Sequence, residues 1–138
     1  MTIAGLSRFA LAISGLVLTT IGGFMLLHPA ALFDLNGIQI GSSPGLLSEI
    51  RAPGGALLAS GVLVLSGIFV RMLKNTALFL SALLFLSYGT SRIVSMLIDG
   101  APPEALVGAT ILELAIGTGC AALLAASKEV SLTSIVAH

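Results

Sequence analysis

Four long apolar runs divide this chain and constrain its fold more than any other feature. They cover roughly residues 9–27, 54–70, 76–98 and 106–126. A helix that crosses the hydrocarbon core of a bilayer needs about 20 predominantly apolar residues, with a range of about 17–25, and each run reaches that length. Backbone N–H and C=O groups find no water in lipid, so each run must be helical to satisfy them internally. The sequence therefore predicts an all-α integral membrane protein, a bundle of four transmembrane helices.

The composition favours the lipid bilayer as the solvent of this chain. Hydrophobic residues make up 57% of the sequence and charged residues only 9%, whereas a soluble domain carries about 25% charged residues. Six basic and six acidic residues cancel, so there is no basic patch of the kind that a nucleic-acid partner requires. The single cysteine, Cys120, excludes an internal disulfide and a dithiol redox pair.

Helix boundaries follow from prolines and polar residues between the runs. We expect helices at about residues 8–28, 44–71, 75–98 and 104–127, all within a single domain that covers residues 1–138. The first run is longer than the apolar core of a signal peptide, so it is interpreted as a retained helix. Ser43-Pro44 is typical of a helix start. Pro53 predicts either a kink in the second helix or a break after which the helix restarts.

Two further patterns concern the connections and the packing of these helices. Residues 29–43 form either an ordered connector or a short amphipathic piece on the membrane surface that could serve as a lid. Small residues at spacings of four, Gly55 with Ala59 and Gly117 with Ala121, predict close approach between helices.

The basic residues predict the orientation of the bundle. Arg8 precedes the first helix, Arg71 and Lys74 lie between the second and third, and Lys128 follows the fourth. By the positive-inside rule, both termini face the cytoplasm. We therefore expect a multi-pass membrane protein, with the loop at residues 29–43, the stretch at residues 49–55 and the loop at residues 99–104 on the outer side.

Five polar residues at or inside the apolar runs form the candidate site: Glu49, Arg51, Tyr88, Arg92 and Glu113. A charge at mid-membrane costs at least about 2.5–3.5 kcal/mol, so such side chains turn inward and pair. We expect a buried ion-pair network in the outer half of the bundle. Arg92 would bridge Glu113 and Glu49, and Arg51 would lie at the rim. Tyr88 precedes Arg92 by four residues and so shares its helix face.

Neighbouring polar side chains extend this expected cluster. Ser95 and Asp99 continue the stripe of Tyr88 and Arg92 outward, and Thr110 lies three residues before Glu113, where it could hydrogen-bond within the same cavity. Residues of this kind could line a polar pocket that opens outward.

Three classes of function are compatible with this cluster. The first is a non-catalytic membrane component that binds a small lipophilic ligand or a membrane partner, including another copy of the chain. The second is a structural or assembly subunit whose ion network only sets helix packing. The third is a membrane enzyme or proton-coupled carrier in which Glu113 titrates.

The sequence favours a non-catalytic protein among these classes. Two histidines, at positions 28 and 138, are too few and too distant for a metal site, and no catalytic residue is assigned. No nucleophile elbow, phosphate loop or dinucleotide fingerprint is present, so no cofactor is expected.

The residues named above resemble a family of small bacterial membrane proteins known as domain of unknown function 4345. Three segments carry the resemblance: Glu49-Ile-Arg51-Ala-Pro-Gly54-Gly55, Arg92 with the later Asp99-Gly100 and prolines, and Glu113-Leu-Ala-Ile-Gly117. The resemblance extends over nearly the whole chain and implies a four-helix inner-membrane bundle without a settled activity. A looser similarity links the chain to DoxX-type four-helix membrane proteins, some of which have redox partners, although the lone Cys120 does not fit dithiol chemistry.

Overall fold

The computed structural model describes the backbone of residues 2–136 and the side chains of residues 2–127. Within that part the chain is helical and contains no strand. The α-helices are α1 (Ile3–Leu27), α2 (Pro29–Leu35), α3 (Pro44–Phe69), α4 (Lys74–Asp99) and α5 (Glu104–Val136), and a 3₁₀ turn at Arg71–Leu73 leads into α4. Four of these helices are long and apolar enough to cross a membrane, which confirms the predicted helical class.

Side-chain caps set two of the helix starts. Thr2 Oγ1 accepts a hydrogen bond from the backbone N–H of Gly5 at 3.3 Å, so α1 begins about one turn before the expected residue 8. Ser43 Oγ accepts from the N–H of Leu46 at 3.4 Å and starts α3 where Ser43-Pro44 predicted it. The end of α3 lies at Phe69 rather than residue 71, because the chain enters the 3₁₀ turn there.

The structure decides the alternative left open at Pro53 and describes the first connector. Helix α3 is continuous through Pro53, so the alternative of a broken and restarted helix is wrong. The connector between α1 and α3 contains the two-turn helix α2. Gly37 follows it with a φ of +72°, a left-handed conformation that glycine adopts without strain.

The four long helices form a ring in which α1 packs against α3, α3 against α4, α4 against α5 and α5 against α1. A smaller diagonal contact joins α1 to α4 across the ring. The ring has two ends. One, the connector end, carries residues 28–43 and 100–103, and the other, the turn end, carries the start of α1 and the turn at residues 71–73. The core between the helices includes Leu11, Leu18, Val64, Leu78 and Phe85.

Helices α1 and α3 approach so closely that backbone meets backbone. A Cβ added to Gly22 would lie 2.7 Å from the carbonyl oxygen of Gly54, and one added to Gly54 would lie 2.6 Å from the Cβ of Met25. Gly61 packs in the same way against Thr19. Such a seam of small residues is the usual means of tight helix packing in membranes.

The predicted small-residue row on α3 was therefore in the wrong register. A Cβ on Gly55 would meet nothing within 4 Å, so Gly55 does not lie in the seam. On α5 the prediction was better, since Gly117 lies in a close contact with Leu86 of α4, and Gly89 of α4 packs reciprocally against Leu114. The pairs α1–α3 and α4–α5 are thus two tightly packed antiparallel units.

Candidate functional site

The structure brings together two of the predicted site residues, Arg92 on α4 and Glu113 on α5. Arg92 Nε donates to Glu113 Oε1 at 3.1 Å and to Oε2 at 3.0 Å. Among the side chains described, this is the one ion pair. The two residues meet because Gly89–Leu114 and Leu86–Gly117 contacts hold α4 and α5 close together just below them.

The pair is less buried than the sequence predicted. The Arg92 side chain is 33% exposed and that of Glu113 12% exposed, and no charged residue with a described side chain is fully buried. The expectation of a buried ion pair is therefore wrong. The physical reason lies on α4, where the last fully buried residue is Gly89 and the segment beyond it, residues 90–99, has no fully buried side chain.

The hydrogen bonds of Arg92 leave most of its donors unused. Both leave from Nε, whereas a guanidinium carries five N–H groups, four of them on Nη1 and Nη2. Those four make no hydrogen bond within the described part of the chain. Because a third of the side chain is exposed, an acceptor from outside the protein can reach them.

Tyr88 lies one helical turn below this pair, toward the middle of the bundle. It lines a cavity of about 30 Å³ together with Ile21 of α1, Leu57 of α3 and Phe85 of its own helix. Tyr88 therefore faces the interior of the bundle. Since residues four apart on a helix share a face, Arg92 lies above this apolar layer on the side of α4 that faces the other helices.

Glu49 and Arg51 do not join the ion pair. Both are exposed near the start of α3, and the predicted bridge from Arg92 to Glu49 is absent among the described side chains. Arg51 instead lines a separate open cleft of about 600 Å³ at the connector end, beside Ser42, Ser48 and Leu26. The residues that were expected to form a single cluster therefore lie at two separate positions at the connector end of the bundle.

A comparison with known families covers most of the chain. The family described as "Domain of unknown function (DUF4345)" matches residues 6–125. The chain belongs to the DUF4345 family. No curated protein and no solved structure matches it.

The other polar residues that we expected at the site of this DUF4345 protein have local partners. Thr110 is buried, but its hydroxyl donates to the carbonyl oxygen of Leu106 at 2.8 Å, one turn back on its own helix. Ser95 donates to the carboxylate of Asp99 at 2.9 Å at the exposed end of α4. Neither contact reaches Glu113, so these side chains do not extend the ion pair into a network.

One polar contact in the middle of the bundle was missed by reading the sequence. The hydroxyls of Ser14 on α1 and Ser81 on α4 lie 3.1 Å apart and are buried, and the thiol of Cys120 on α5 lies beside both. Ser14 sits in a row of buried residues with heptad-like spacing, Ser7, Leu11, Ser14 and Leu18. That spacing was visible in the sequence and could have shown that Ser14 faces inward.

In the described residues of this DUF4345 chain no group of three His, Cys, Asp or Glu side chains lies close enough to hold a metal ion. The arrangement at Arg92 and Glu113 therefore offers a different chemistry: an oriented guanidinium whose free N–H groups can bind a carboxylate, a phosphate or a carbonyl oxygen.

Proposed function

We propose that this DUF4345 protein is a non-catalytic, multi-pass protein of the bacterial cell membrane that binds a small lipophilic ligand in the outer half of its bundle. Both termini would face the cytoplasm, since Arg8, Arg71 and Lys74 lie at the turn end. The connector end, with Arg92, Glu113 and Arg51, would then lie on the outer side. In this proposal the ligand has a polar head that accepts hydrogen bonds and an apolar body.

The main observation behind this proposal is that Arg92 binds Glu113 through its Nε atom alone. Glu113 binds the guanidinium through Nε, and the two Nη groups make no hydrogen bond within the described part of the chain. In a membrane, unsatisfied N–H groups on a charged side chain are costly, so an acceptor at that position is strongly favoured. A carboxylate or phosphate head fits this fork of donors best, because it can take two parallel hydrogen bonds.

The apolar surroundings suit the rest of such a ligand. The layer of Ile21, Leu57 and Tyr88 lies directly below Arg92, and large apolar side chains on the same stretch of α4, Leu97 and Ile98, are exposed. Because the layer encloses only about 30 Å³, an alkyl or polycyclic body would lie outside it, along the exposed apolar side chains of α4, while its head reaches the guanidinium.

The alternatives use the same residues in other ways. In a purely structural subunit the pair would only hold α4 against α5, and no acceptor would be needed beyond lipid or water. In an enzyme or proton-coupled carrier Glu113 would have to release Arg92, since both of its carboxylate oxygens accept from Nε.

The cleft beside Arg51 supports a second candidate site for the ligand. Its volume of about 600 Å³ falls within the range of about 300–1,000 Å³ of small-molecule pockets. It combines the Arg51 guanidinium with the hydroxyls of Ser42 and Ser48 and the apolar side chains of Leu26 and Leu47. A ligand with an anionic head would find there a cation that has no carboxylate partner among the described side chains.

The test is to identify what the protein retains when it is taken out of the membrane. The protein is extracted with its surrounding lipid in polymer nanodiscs, and the extractable compounds are compared by mass spectrometry between wild type and two variants. The double variant Arg92→Gln/Glu113→Gln removes the guanidinium without leaving a lone carboxylate. The matched control Arg51→Gln removes the cation of the other cleft.

A compound retained by wild type and by Arg51→Gln but lost from the double variant would support the site at Arg92. The reverse pattern would move the ligand to the Arg51 cleft. Retention of a protein rather than a lipophile, with the same dependence on Arg92, would replace the ligand with a membrane partner. No retained compound in any sample, together with lower thermal stability of the double variant, would favour the structural subunit.

A further inference from the structure

A second polar concavity lies at the turn end of the bundle, opposite Arg92. It is a cleft of about 380 Å³ between the start of α1, the end of α3, the start of α4 and α5. Its lining includes Arg8, Arg71, Lys74, Asn75, Ser127 and Phe69. Three of the six basic residues of the chain are therefore gathered around one cleft.

Backbone geometry fixes two of these cations next to each other. Arg71 opens the 3₁₀ turn and Lys74 follows it as the first residue of α4. In a 3₁₀ helix residues three apart lie directly above one another, so both side chains leave the backbone on the same side. Arg8, in the second turn of α1, completes the group from across the cleft.

No counter-charge is present among the described side chains. No carboxylate within residues 2–127 lines this cleft, and none of the three cations is in an ion pair there. Like charges held around a concavity repel one another and create a local potential that attracts an anion. The amide of Asn75 adds a neutral hydrogen-bond donor to the same lining.

The cleft also has an apolar wall, which narrows the kind of anion that fits. Phe69, Ile68 and Ala4 line it beside the cations, and Phe69 is 86% exposed. An anion that carries hydrocarbon chains would place its charge among Arg8, Arg71 and Lys74 and its chains along Phe69. A free inorganic anion would gain nothing from that wall.

We propose that this cleft binds the phosphate of an anionic phospholipid from the leaflet on the side of the turn end. Basic pockets between transmembrane helices on the cytoplasmic side are suited to anionic headgroups, and the positive-inside rule makes this the cytoplasmic end. Each cation near such a surface contributes enough that its removal weakens binding by about five-fold. The cleft is separate from the ion pair of Arg92 and Glu113, which lies at the far end of α4.

Native mass spectrometry of the detergent-purified protein tests this assignment. The protein is titrated with phosphatidylglycerol, with phosphatidylcholine, and with glycerol 3-phosphate, which has a phosphate but no acyl chains. We expect phosphatidylglycerol to bind in preference to phosphatidylcholine, with no competition from glycerol 3-phosphate. Arg71→Gln and Lys74→Gln should each weaken phosphatidylglycerol binding by about five-fold.

A variant that moves one positive charge out of the cleft distinguishes a defined binding site from a surface that is merely basic. Thr76 is exposed, and it lies two residues beyond Lys74 on another face of α4, outside the cleft. Arg71→Gln/Thr76→Lys therefore keeps the net charge of this end but removes one cation from the cleft. The proposal expects this variant to bind as weakly as Arg71→Gln.

Recovery of wild-type binding in the relocated variant would overturn the proposal. So would equal binding of the two phospholipids, or full competition by glycerol 3-phosphate, which would reduce the site to one for a free phosphate. Circular dichroism of each variant verifies that its helix content equals that of wild type.

Discussion

Arg92 Nε donates to both carboxylate oxygens of Glu113, at 3.1 Å and 3.0 Å, and so joins α4 to α5 near the connector end of the bundle. Below this point the two helices are held by glycine–leucine contacts, and above it no side chain of α4 is fully buried. Among the described side chains, the ion pair is the one salt bridge between the two helices. Both charged side chains are partly exposed. The contribution of the pair to stability and its accessibility to other molecules can therefore both be measured.

Removal of one member of this pair should destabilise the protein more than removal of both. Arg92→Gln leaves the Glu113 carboxylate, only 12% exposed, without its partner, and a cost of about 1–3 kcal/mol is expected for such a group. In Arg92→Gln/Glu113→Gln two neutral amides replace the charges, so part of that loss should be recovered. Thermal unfolding in detergent gives the coupling energy, which we expect at about 0.5–2 kcal/mol. Strictly additive effects of the two single substitutions would contradict this prediction.

The glycine seam between α1 and α3 predicts opposite outcomes for two adjacent residues. Gly22→Ala would place a methyl group 2.7 Å from the carbonyl oxygen of Gly54 and 2.9 Å from the carbonyl carbon of Leu57. The helices must separate to admit it, at a cost of about 1–3 kcal/mol. Gly23→Ala is the matched control, because its Cβ would meet nothing within 4 Å. Equal melting temperatures for the two variants would show that the seam is not packed as described.

Burial of the single cysteine predicts a simple assay of folding. The Cys120 side chain is 0% exposed and lies beside the hydroxyls of Ser14 and Ser81 in the core. A thiol-reactive maleimide should label the folded protein very slowly and label it fully once heating separates the helices. The variant Ser42→Cys adds an exposed thiol near the start of α3 and serves as the control for reagent activity. Rapid labelling of the native protein without Ser42→Cys would contradict the burial of Cys120.

The proposed orientation predicts which loops react from outside the cell. Ser42 lies in the connector before α3 and Asn75 lies at the start of α4, at opposite ends of the bundle. Single cysteines at these positions are placed in a Cys120→Ala background and exposed to a membrane-impermeant maleimide in intact cells. We expect Ser42→Cys to react and Asn75→Cys to react only after the cells are lysed. Labelling of Asn75→Cys in intact cells would invert the bundle and move the Arg92 site to the cytoplasmic side.

The sequence predicted the positions of the helices well, but it was less successful in predicting which face of each helix packs against its neighbours. Ser43-Pro44 marked the start of α3 correctly, because a hydroxyl cap and a proline act within one turn of the chain. The seam on α3 was placed on Gly55 instead of Gly54 and Gly61. An almost uniformly apolar helix has no polar face to indicate its rotation, so the register of its contacts depends on its neighbours.

The sequence predicted only part of the candidate site, the pairing of Arg92 with Glu113, for a related reason. A partner for Arg92 could be expected, since a lone charge in lipid is costly, and Glu113 was the deepest carboxylate available. Whether Glu49 or Arg51 would join them depended on how far the start of α3 lies from α4, which no local pattern reports. The structure leaves both exposed and places Arg51 in its own cleft.

The sequence by itself predicted the four long apolar helices, because a backbone group without access to water must be paired within its own run, and a helix achieves that pairing. Tertiary structure alone decided which charges meet, which glycines touch and which cations surround a cleft. Those outcomes depend on the rotation and spacing of helices around one another, which are set by contacts between residues far apart in the chain.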